Sequence, residues 1–228
     1  ADGDTTLGGL VEQILRDVPA LPRLRLSSLD TIEIDERLFA LITEEPRVMP
    51  HLHLSLQAGD DLTLKRMRRR HLRADAVRMV EQLKAKRDIA IGADLIAGFP
   101  TESDAMFANT LALIDDCDIV HAHVFPYSPR PGTPAARMPQ VAGDVARARA
   151  ARRRERAAMR RRAWLNGMIG SEQPIVLEKP GDRGHAPGFA DVRLAETQPA
   201  SAIGRIFSVR VAQATDSHLI GHLIGTIE

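Results

Sequence analysis

The segment at residues 51–57, HLHLSLQ, alternates polar and apolar side chains without exception and so predicts a β-strand. Its three leucines share one face, whereas two histidines, a serine and Gln57 share the other. The leucine face requires an apolar core, and the polar face requires either solvent or a polar cavity. The sheet that contains this strand must therefore have two chemically different faces.

Helical and strand patterns alternate along the first part of the chain. Four segments have strand patterns: 24–28, 51–57, 89–97 and 119–125. Helical patterns lie between them, and Thr101 with Asp104 is expected to form a capping box at the start of the helix before the last strand. This alternation predicts parallel βα units with four strands.

Other predicted strands also carry polar side chains. His121 and His123 share one face of the fourth strand, and Asp94 interrupts the apolar third strand. A polar face of this kind fits a barrel whose lumen holds a polar ligand, although an antiparallel sheet with one solvated face is the alternative. The two histidines could bind a metal, but hydrogen-bonded histidines are favoured, and no metal site is expected.

The pattern changes near residue 173. Short β segments separated by glycines predict a small antiparallel barrel or sandwich. An arginine-rich helical segment precedes it. We therefore expect a partial barrel at 1–141, a linking helix at 142–168 and a β-module at 171–228.

Charge and cysteine content limit the function. The net charge is +1, but nine arginines lie within residues 147–162 beside one acid, Glu155. This density favours RNA as a partner, with a solvated helix face as the alternative. The single cysteine, Cys117, excludes an iron–sulfur cluster held only by this chain's thiolates, which needs about three or four. It also suggests a reducing compartment, and we expect a cytoplasmic protein.

Three segments in order carry a recognisable pattern: RLRLSSLDTIEID (23–35), PHLHLSLQAGDDLTLKRMRRRH (50–71), and IGADLIAGFPTESDAMFANTLALI (91–114) closing with VFPYSPRPGTPAARM (124–138). They resemble the radical S-adenosylmethionine methylthiotransferases, and within them the branch that acts on N6-threonylcarbamoyladenosine at position 37 of tRNA. The tail, from VLEKPG through IGRIFSVRV, is similar to the TRAM module, a small OB-like β-barrel that binds RNA.

The resemblance implies a plan of three parts. These are an N-terminal domain with three cysteines for an auxiliary 4Fe–4S cluster, a (βα)6 partial barrel with a CxxxCxxC loop, and the TRAM module. The four strands predicted here match strands three to six of that barrel. Both cysteine sets are missing from this sequence, and Cys117 matches neither. We therefore expect an α/β fold: the C-terminal portion of the partial barrel, about four βα units, followed by an OB-like antiparallel barrel.

The resemblance also implies the cofactors and partners of the full-length enzyme. The cofactors are S-adenosyl-L-methionine and two 4Fe–4S clusters. The partners are tRNA and an electron donor, with no membrane and no DNA. Candidate cofactor-binding residues lie mostly at predicted strand ends, and each has a structural alternative such as a turn or a helix cap: Ser27, Ser28, Gln57, Asp94, Gly98 and Phe125.

Candidate RNA contacts are basic or aromatic. Arg68 could pair with a cofactor carboxylate or a tRNA phosphate, and Tyr127 and Arg130 could contact a flipped-out base. In the β-module, basic side chains near glycine-rich turns are candidates for phosphate contacts, with surface solubility as the alternative: Lys179, Arg183, His185, Arg193 and Arg205. The sequence identifies no catalytic residue.

Three functions remain open at this point. The first is a part of a tRNA-modifying methylthiotransferase, inactive as an isolated chain because the cluster thiolates are missing. The second is a non-catalytic RNA-binding protein, which the cysteine count favours for the isolated chain. The third is a methylthiotransferase that acts on an aspartate of a ribosomal protein.

Overall fold

A computed structural model describes residues 6–227 of the chain. The chain divides into two compact units, residues 1–157 and 158–228. The division falls within a long helix that runs from Gly143 to Asn166. The expected limits of the partial barrel, the linking helix and the β-module stay predictions, and each unit is described by itself below.

Unit 1 is built on a three-stranded parallel sheet in the order β1–β2–β3. The strands are β1 (His51–Gln57), β2 (Ala90–Ala97) and β3 (Ile119–Pro126). The helices are α1 (Leu7–Asp17), α2 (Glu36–Glu44), α3 (Asp61–Arg66), α4 (Arg73–Lys86), α5 (Asp104–Asp116) and α6 (Gly143–Asn166). The parallel pairing confirms the predicted βα units, and the antiparallel alternative is wrong.

The predicted strand at 24–28 is wrong as an element of the sheet. The segment makes only isolated parallel bridges, from Leu24 to Val48 and from Leu29 to Leu54. Between these bridges Ser28 has a φ of 56°, a left-handed conformation that interrupts an extended chain. The segment therefore flanks β1 without joining it as a continuous strand.

The N-cap of helix α5 differs from the one that the sequence predicted. The predicted capping box of Thr101 and Asp104 is wrong, because Ser103 is the N-cap and accepts a hydrogen bond from the Met106 backbone N–H at 3.3 Å. Thr101 lies outside the helix with a φ of 68°. Three residues suited to a cap fall within four positions here, so the local pattern could not choose among them.

The apolar core of unit 1 lies on the leucine face of β1. Leu52, Leu54 and Leu56 are completely buried, and they belong to one cluster with apolar residues of the helices, including Leu38 of α2 and Leu83 of α4. The alternation of β1 thus directs its leucines into the core and its histidines to the opposite face. No helix within residues 6–227 combines the length and apolar character needed to cross a membrane.

Unit 2 is a closed five-stranded barrel in the order β4–β5–β6–β8–β7. Its strands are β4 (Glu172–Glu178), β5 (Arg183–His185), β6 (Asp191–Leu194), β7 (Ile206–Ala214) and β8 (Leu219–Ile227). The prediction of a purely antiparallel barrel is wrong at one pair, because β6 and β8 are parallel. The long connection after β6 carries the chain to β7 beside β4, and β8 then returns along β6.

A candidate cofactor cavity and a basic barrel face

The register of the parallel sheet assembles its polar face. Gly92 of β2 lies opposite His53 of β1 and His121 of β3, and in the next row Asp94 lies opposite His123. Gly92 is needed between the imidazoles, because a Cβ there would lie 2.6 Å from His53 Nδ1. The face therefore carries histidines from both outer strands around a glycine, as the alternation of β1 predicts.

Asp94 pairs with histidines on both sides. Its Oδ1 lies 3.0 Å from His53 Nε2 and 3.2 Å from His123 Nδ1. The side chain of His53 is 10% exposed, whereas that of His123 is 62% exposed. The two contacts supply the partner that a carboxylate in a largely apolar strand requires.

A second pair of histidines lies deeper on the same face. The rings of His51 and His121 meet edge to face, with their centroids 5.1 Å apart. Burial, together with smaller effects of the nearby charges of His121 and Arg25, lowers the pKa of His51 to about 3. His51 is therefore neutral at physiological pH.

A cavity of about 380 Å³ opens at the C-terminal edge of the sheet in unit 1. This is the edge at which parallel βα folds bind their ligands. Its walls combine guanidinium groups, one carboxamide and an apolar patch. The lining residues are Gln57, Arg66, Met67, Arg68, Arg69, Ile96, Phe99, Thr133, Pro134 and Ala135.

Several residues around this edge have left-handed backbones although they are not glycine. Gln57, at the end of β1, has a φ of 64°, and Arg68, after α3, has a φ of 59°. Thr101 follows the turn after β2 with a φ of 68°. Such conformations cost about 1–3 kcal/mol each and tend to cluster at ligand sites. Two of the three residues line the cavity.

A buried ion-pair cluster fixes the turn after β2. The Gly98 backbone N–H donates to Glu102 Oε2 at 2.9 Å, and both Arg149 and Arg153 pair with the same carboxylate. Arg153 also donates to the Ile96 carbonyl oxygen at 2.6 Å. Burial lowers the pKa of Arg153, and the Glu102 charge opposes this shift. Buried hydrogen bonds and ion pairs of Glu102 thereby fix the turn that precedes Phe99.

This cluster corrects part of the prediction for the arginine-rich helix. Arg149 and Arg153 are buried and hold the β2 turn, so they are not available to RNA. Arg156 pairs with Asp115 on α5, and Arg154 donates to the Val124 carbonyl oxygen at the end of β3. The charge count was correct, but it could not show that several of these arginines serve the fold.

Unit 2 presents a basic face on two short strands. Arg183 of β5 and Arg193 of β6 lie directly opposite each other, and in the next row His185 lies opposite Asp191. The imidazole of His185 stacks on Phe189, with centroids 4.5 Å apart and planes at 17°. Each arginine also lies beside a carboxylate, with Arg183 Nε 3.1 Å from Asp182 Oδ1 and Arg193 Nε 4.0 Å from Asp191 Oδ2. We call these four residues, Arg183, Arg193, His185 and Phe189, the basic barrel face.

Comparison with known proteins gives these features a context. Residues 3–114 match the model of the radical SAM superfamily. The threonylcarbamoyladenosine tRNA methylthiotransferase of Rickettsia prowazekii is 41% identical over 95% of this chain and 51% of its own length. The tRNA-2-methylthio-N(6)-dimethylallyladenosine synthase of Maricaulis maris is 36% identical over 99% of this chain and 50% of its own length.

Residues 3–114, about half of the chain, are thus similar to the radical SAM superfamily. The chain spans about half the length of the curated relatives it matches. A solved radical SAM structure, coproporphyrinogen III oxidase from Escherichia coli, is similar with a TM-score of 0.52, covering 96% of this chain and 56% of that one. At 12% identity this similarity concerns the fold alone.

The predicted site residues of this chain fall into separate places. Gln57 and Arg68 line the cavity together, and Gly98 forms the turn next to Phe99. Ser27 and Ser28 are exposed on the segment before β1 and do not line the cavity. Asp94 lies beneath the edge between its two histidines. Their roles toward a cofactor stay predictions.

The remaining predicted contacts lie near the ends of strands. Phe125 is exposed at the end of β3, Tyr127 packs edge to face on Phe99 at 5.2 Å, and Arg130 is exposed in the following loop. Lys179 and Arg205 are exposed in unit 2. The sequence indicated Arg68 together with its basic neighbours, which include Arg66 and Arg69, but gave no such indication for Thr133. The basic run at 65–70 was a usable signal, whereas Thr133 follows a proline-rich loop of no fixed pattern.

The two cofactors of the radical SAM superfamily fit this chain to different degrees. The cavity offers arginines for a carboxylate, Gln57 for hydroxyl groups and Phe99 with Ile96 as an apolar wall, which suits an amino acid joined to a nucleoside. An iron–sulfur cluster does not fit this chain alone. Its one cysteine, Cys117, is completely buried after α5, and burial raises its pKa to about 12.

Proposed function

We propose that this chain forms the C-terminal part of a radical SAM methylthiotransferase that modifies N6-threonylcarbamoyladenosine at position 37 of tRNA. The observation that carries this proposal is the 41% identity to the Rickettsia enzyme over 95% of the chain, through both units. In this proposal unit 1 binds and orients S-adenosyl-L-methionine, and unit 2 binds the tRNA. When bound, S-adenosyl-L-methionine would supply the radical and methyl chemistry. The iron–sulfur clusters that reduce it would be held by thiolates that this chain does not contain.

The cavity supports the first half of the proposal. Arg66, Arg68 and Arg69 present guanidinium groups that can pair with the carboxylate of the amino-acid moiety. Gln57 offers one acceptor and two donor hydrogens for ribose hydroxyls. Phe99 gives an apolar surface for adenine, and its position is held by the buried Glu102 cluster. These residues bind and orient; no proton transfer is assigned to them.

The basic barrel face supports the second half. Its two opposed arginines provide phosphate contacts, and the stacked pair of His185 and Phe189 offers an aromatic platform to an unstacked base. Phe189 is 39% exposed. Charge and stacking together are typical of single-stranded RNA recognition.

The relatives favour one tRNA nucleoside over another. The threonylcarbamoyladenosine enzyme is 41% identical, whereas three dimethylallyladenosine synthases are 36%, 34% and 35% identical over similar lengths. We therefore favour the threonylcarbamoyl nucleoside. No specific observation favours the ribosomal-protein substrate, and the single cysteine favours a purely RNA-binding role only for the chain taken alone.

Cofactor binding can be tested on the purified chain by calorimetric titration with S-adenosyl-L-methionine. We expect binding that the double variant R66A/R68A weakens by about tenfold or more, because each charge-assisted hydrogen bond contributes about 1.5–3 kcal/mol. The matched control is R162A, which removes an exposed arginine from unit 2. Equal affinity in the double variant and the wild type would contradict a role for this cavity.

The RNA substrate can be tested by fluorescence anisotropy with three anticodon stem-loops. These carry N6-threonylcarbamoyladenosine, N6-dimethylallyladenosine or unmodified adenosine at position 37. We expect the first to bind most tightly. Tighter binding of the dimethylallyl stem-loop would move the assignment to the other group of relatives, and equal binding of all three would leave only sequence-independent phosphate contacts.

The isolated chain should not catalyse the reaction, because it has one buried cysteine. The test is to reconstitute the chain with iron and sulfide, and then to add S-adenosyl-L-methionine, reductant and threonylcarbamoylated tRNA. Mass spectrometry of the digested tRNA should detect no methylthio product. Turnover would show that the cluster can be held without the missing thiolates.

A further inference from the structure

We propose that His53, Asp94 and His123 form a binding site for a divalent transition-metal ion in unit 1. The three residues stand on three adjacent strands, and one ligand atom of each lies within 4.8 Å of the others. This cluster lies outside the lining of the cavity proposed for S-adenosyl-L-methionine. The inference does not depend on the proposed function.

The geometry of the cluster suits a small metal ion. Ligand atoms around a tetrahedral zinc ion are about 3.4 Å apart, given zinc–nitrogen and zinc–oxygen distances of about 2.1 Å. Asp94 Oδ1 lies 3.0 Å from His53 Nε2 and 3.2 Å from His123 Nδ1. Two of the three separations are thus within about 0.4 Å of the tetrahedral value, and the third is no more than 4.8 Å.

The surroundings of the cluster preorganise it. His53 and Asp94 are held by the parallel pairing of β1 with β2, and the absence of a side chain at Gly92 makes room for the His53 ring. His123 lies opposite Asp94 on β3. Because the backbone fixes two ligands before any ion binds, little ordering opposes coordination.

The ligand set defines the class of ion. Two imidazoles and one carboxylate suit zinc, cobalt, nickel or ferrous iron, rather than calcium or magnesium, which prefer all-oxygen sites. The side chain of His123 is 62% exposed, so the remaining coordination positions face solvent. Three protein ligands with open positions are typical of sites that also bind water or a substrate atom.

Cobalt titration of the full 228-residue chain tests the proposal, because low-symmetry Co²⁺ sites absorb visible light strongly. We expect one Co²⁺ per chain, displaced by Zn²⁺. Separate variants H53N, D94N and H123N should each weaken Co²⁺ binding by about tenfold to a hundredfold. Loss of a residue that hydrogen-bonds to a metal ligand already has an effect of this size. H123N alters an exposed side chain and should fold normally, which circular dichroism can check.

The matched control is H222N, which removes an exposed histidine of unit 2. It should bind Co²⁺ as the wild type does. The proposal is overturned if the wild-type chain shows no visible Co²⁺ spectrum. It is also overturned if folded H123N binds as tightly as the wild type, or if H222N abolishes the signal.

Discussion

Glu102 and Arg153 form an ion pair in which the two side chains are 1% and 0% exposed. Arg149 pairs with the same carboxylate, and the Gly98 N–H donates to it. The carboxylate therefore pairs with two guanidinium groups and accepts from one backbone donor inside unit 1. Glu102 thus anchors α6 to the end of β2.

Replacing Glu102 by alanine should destabilise unit 1 strongly. The variant leaves two buried arginines without their shared carboxylate, and breaking a buried pair from one side costs about 3–5 kcal/mol. Urea unfolding followed by circular dichroism measures the loss. The matched control is R156A, which breaks the exposed pair with Asp115 and should change stability far less. Equal losses in the two variants would contradict the anchoring role.

The turn after β2 should tolerate no side chain at Gly98. Its φ is 71°, and an added Cβ would lie 2.4 Å from the Cβ of Ala146. G98A should therefore lose about 2–4 kcal/mol, from left-handed strain together with overpacking. Gly132 is the control, since its φ is 83° and nothing lies within 4 Å of an added Cβ. Thermal melts of G98A and G132A should differ clearly, with G132A the more stable.

Cys117 should be unreactive in the folded chain. It is completely buried, and burial raises its pKa to about 12. Because the thiolate is the reactive form, about one thiol in ten thousand would be ionised at pH 8, even with access. A thiol reagent such as Ellman's should react only after urea is added. Rapid labelling of the native chain at pH 8 would show that the end of α5 opens readily.

The basic barrel face should account for part of the salt dependence of RNA binding. R183A and R193A should each weaken binding to a threonylcarbamoylated stem-loop and lower the slope of log K against log salt by about 1. R210A is the control on the same barrel, because Arg210 lies on β7, outside the basic barrel face, and is likewise paired with a carboxylate, Glu172. If R210A lowers the slope as much as R193A does, RNA binding does not depend on this particular face.

The alternation of β1 allowed the sheet and its two faces to be predicted, because a strand with period two has only one way to bury three leucines. The order of motifs likewise indicated the superfamily. The prediction of a strand at 24–28 was wrong because Ser28 adopts a left-handed backbone conformation, which the residue type alone does not reveal. The pairing of Arg153 with Glu102 also escaped prediction, since 51 residues separate them and helical arginines are usually exposed.

Strand β8 has two neighbours in the barrel, and its pairing with β6 is parallel. β8 also pairs with β7, so it lies between β6 and β7 in the closed ring of unit 2. Loss of residues 219–227 would uncover the backbone donors and acceptors of β6 and β7 at the same time, and exposed strand edges promote self-association. Removing β8 would therefore convert the closed barrel into an open sheet whose two free edges can pair with other chains.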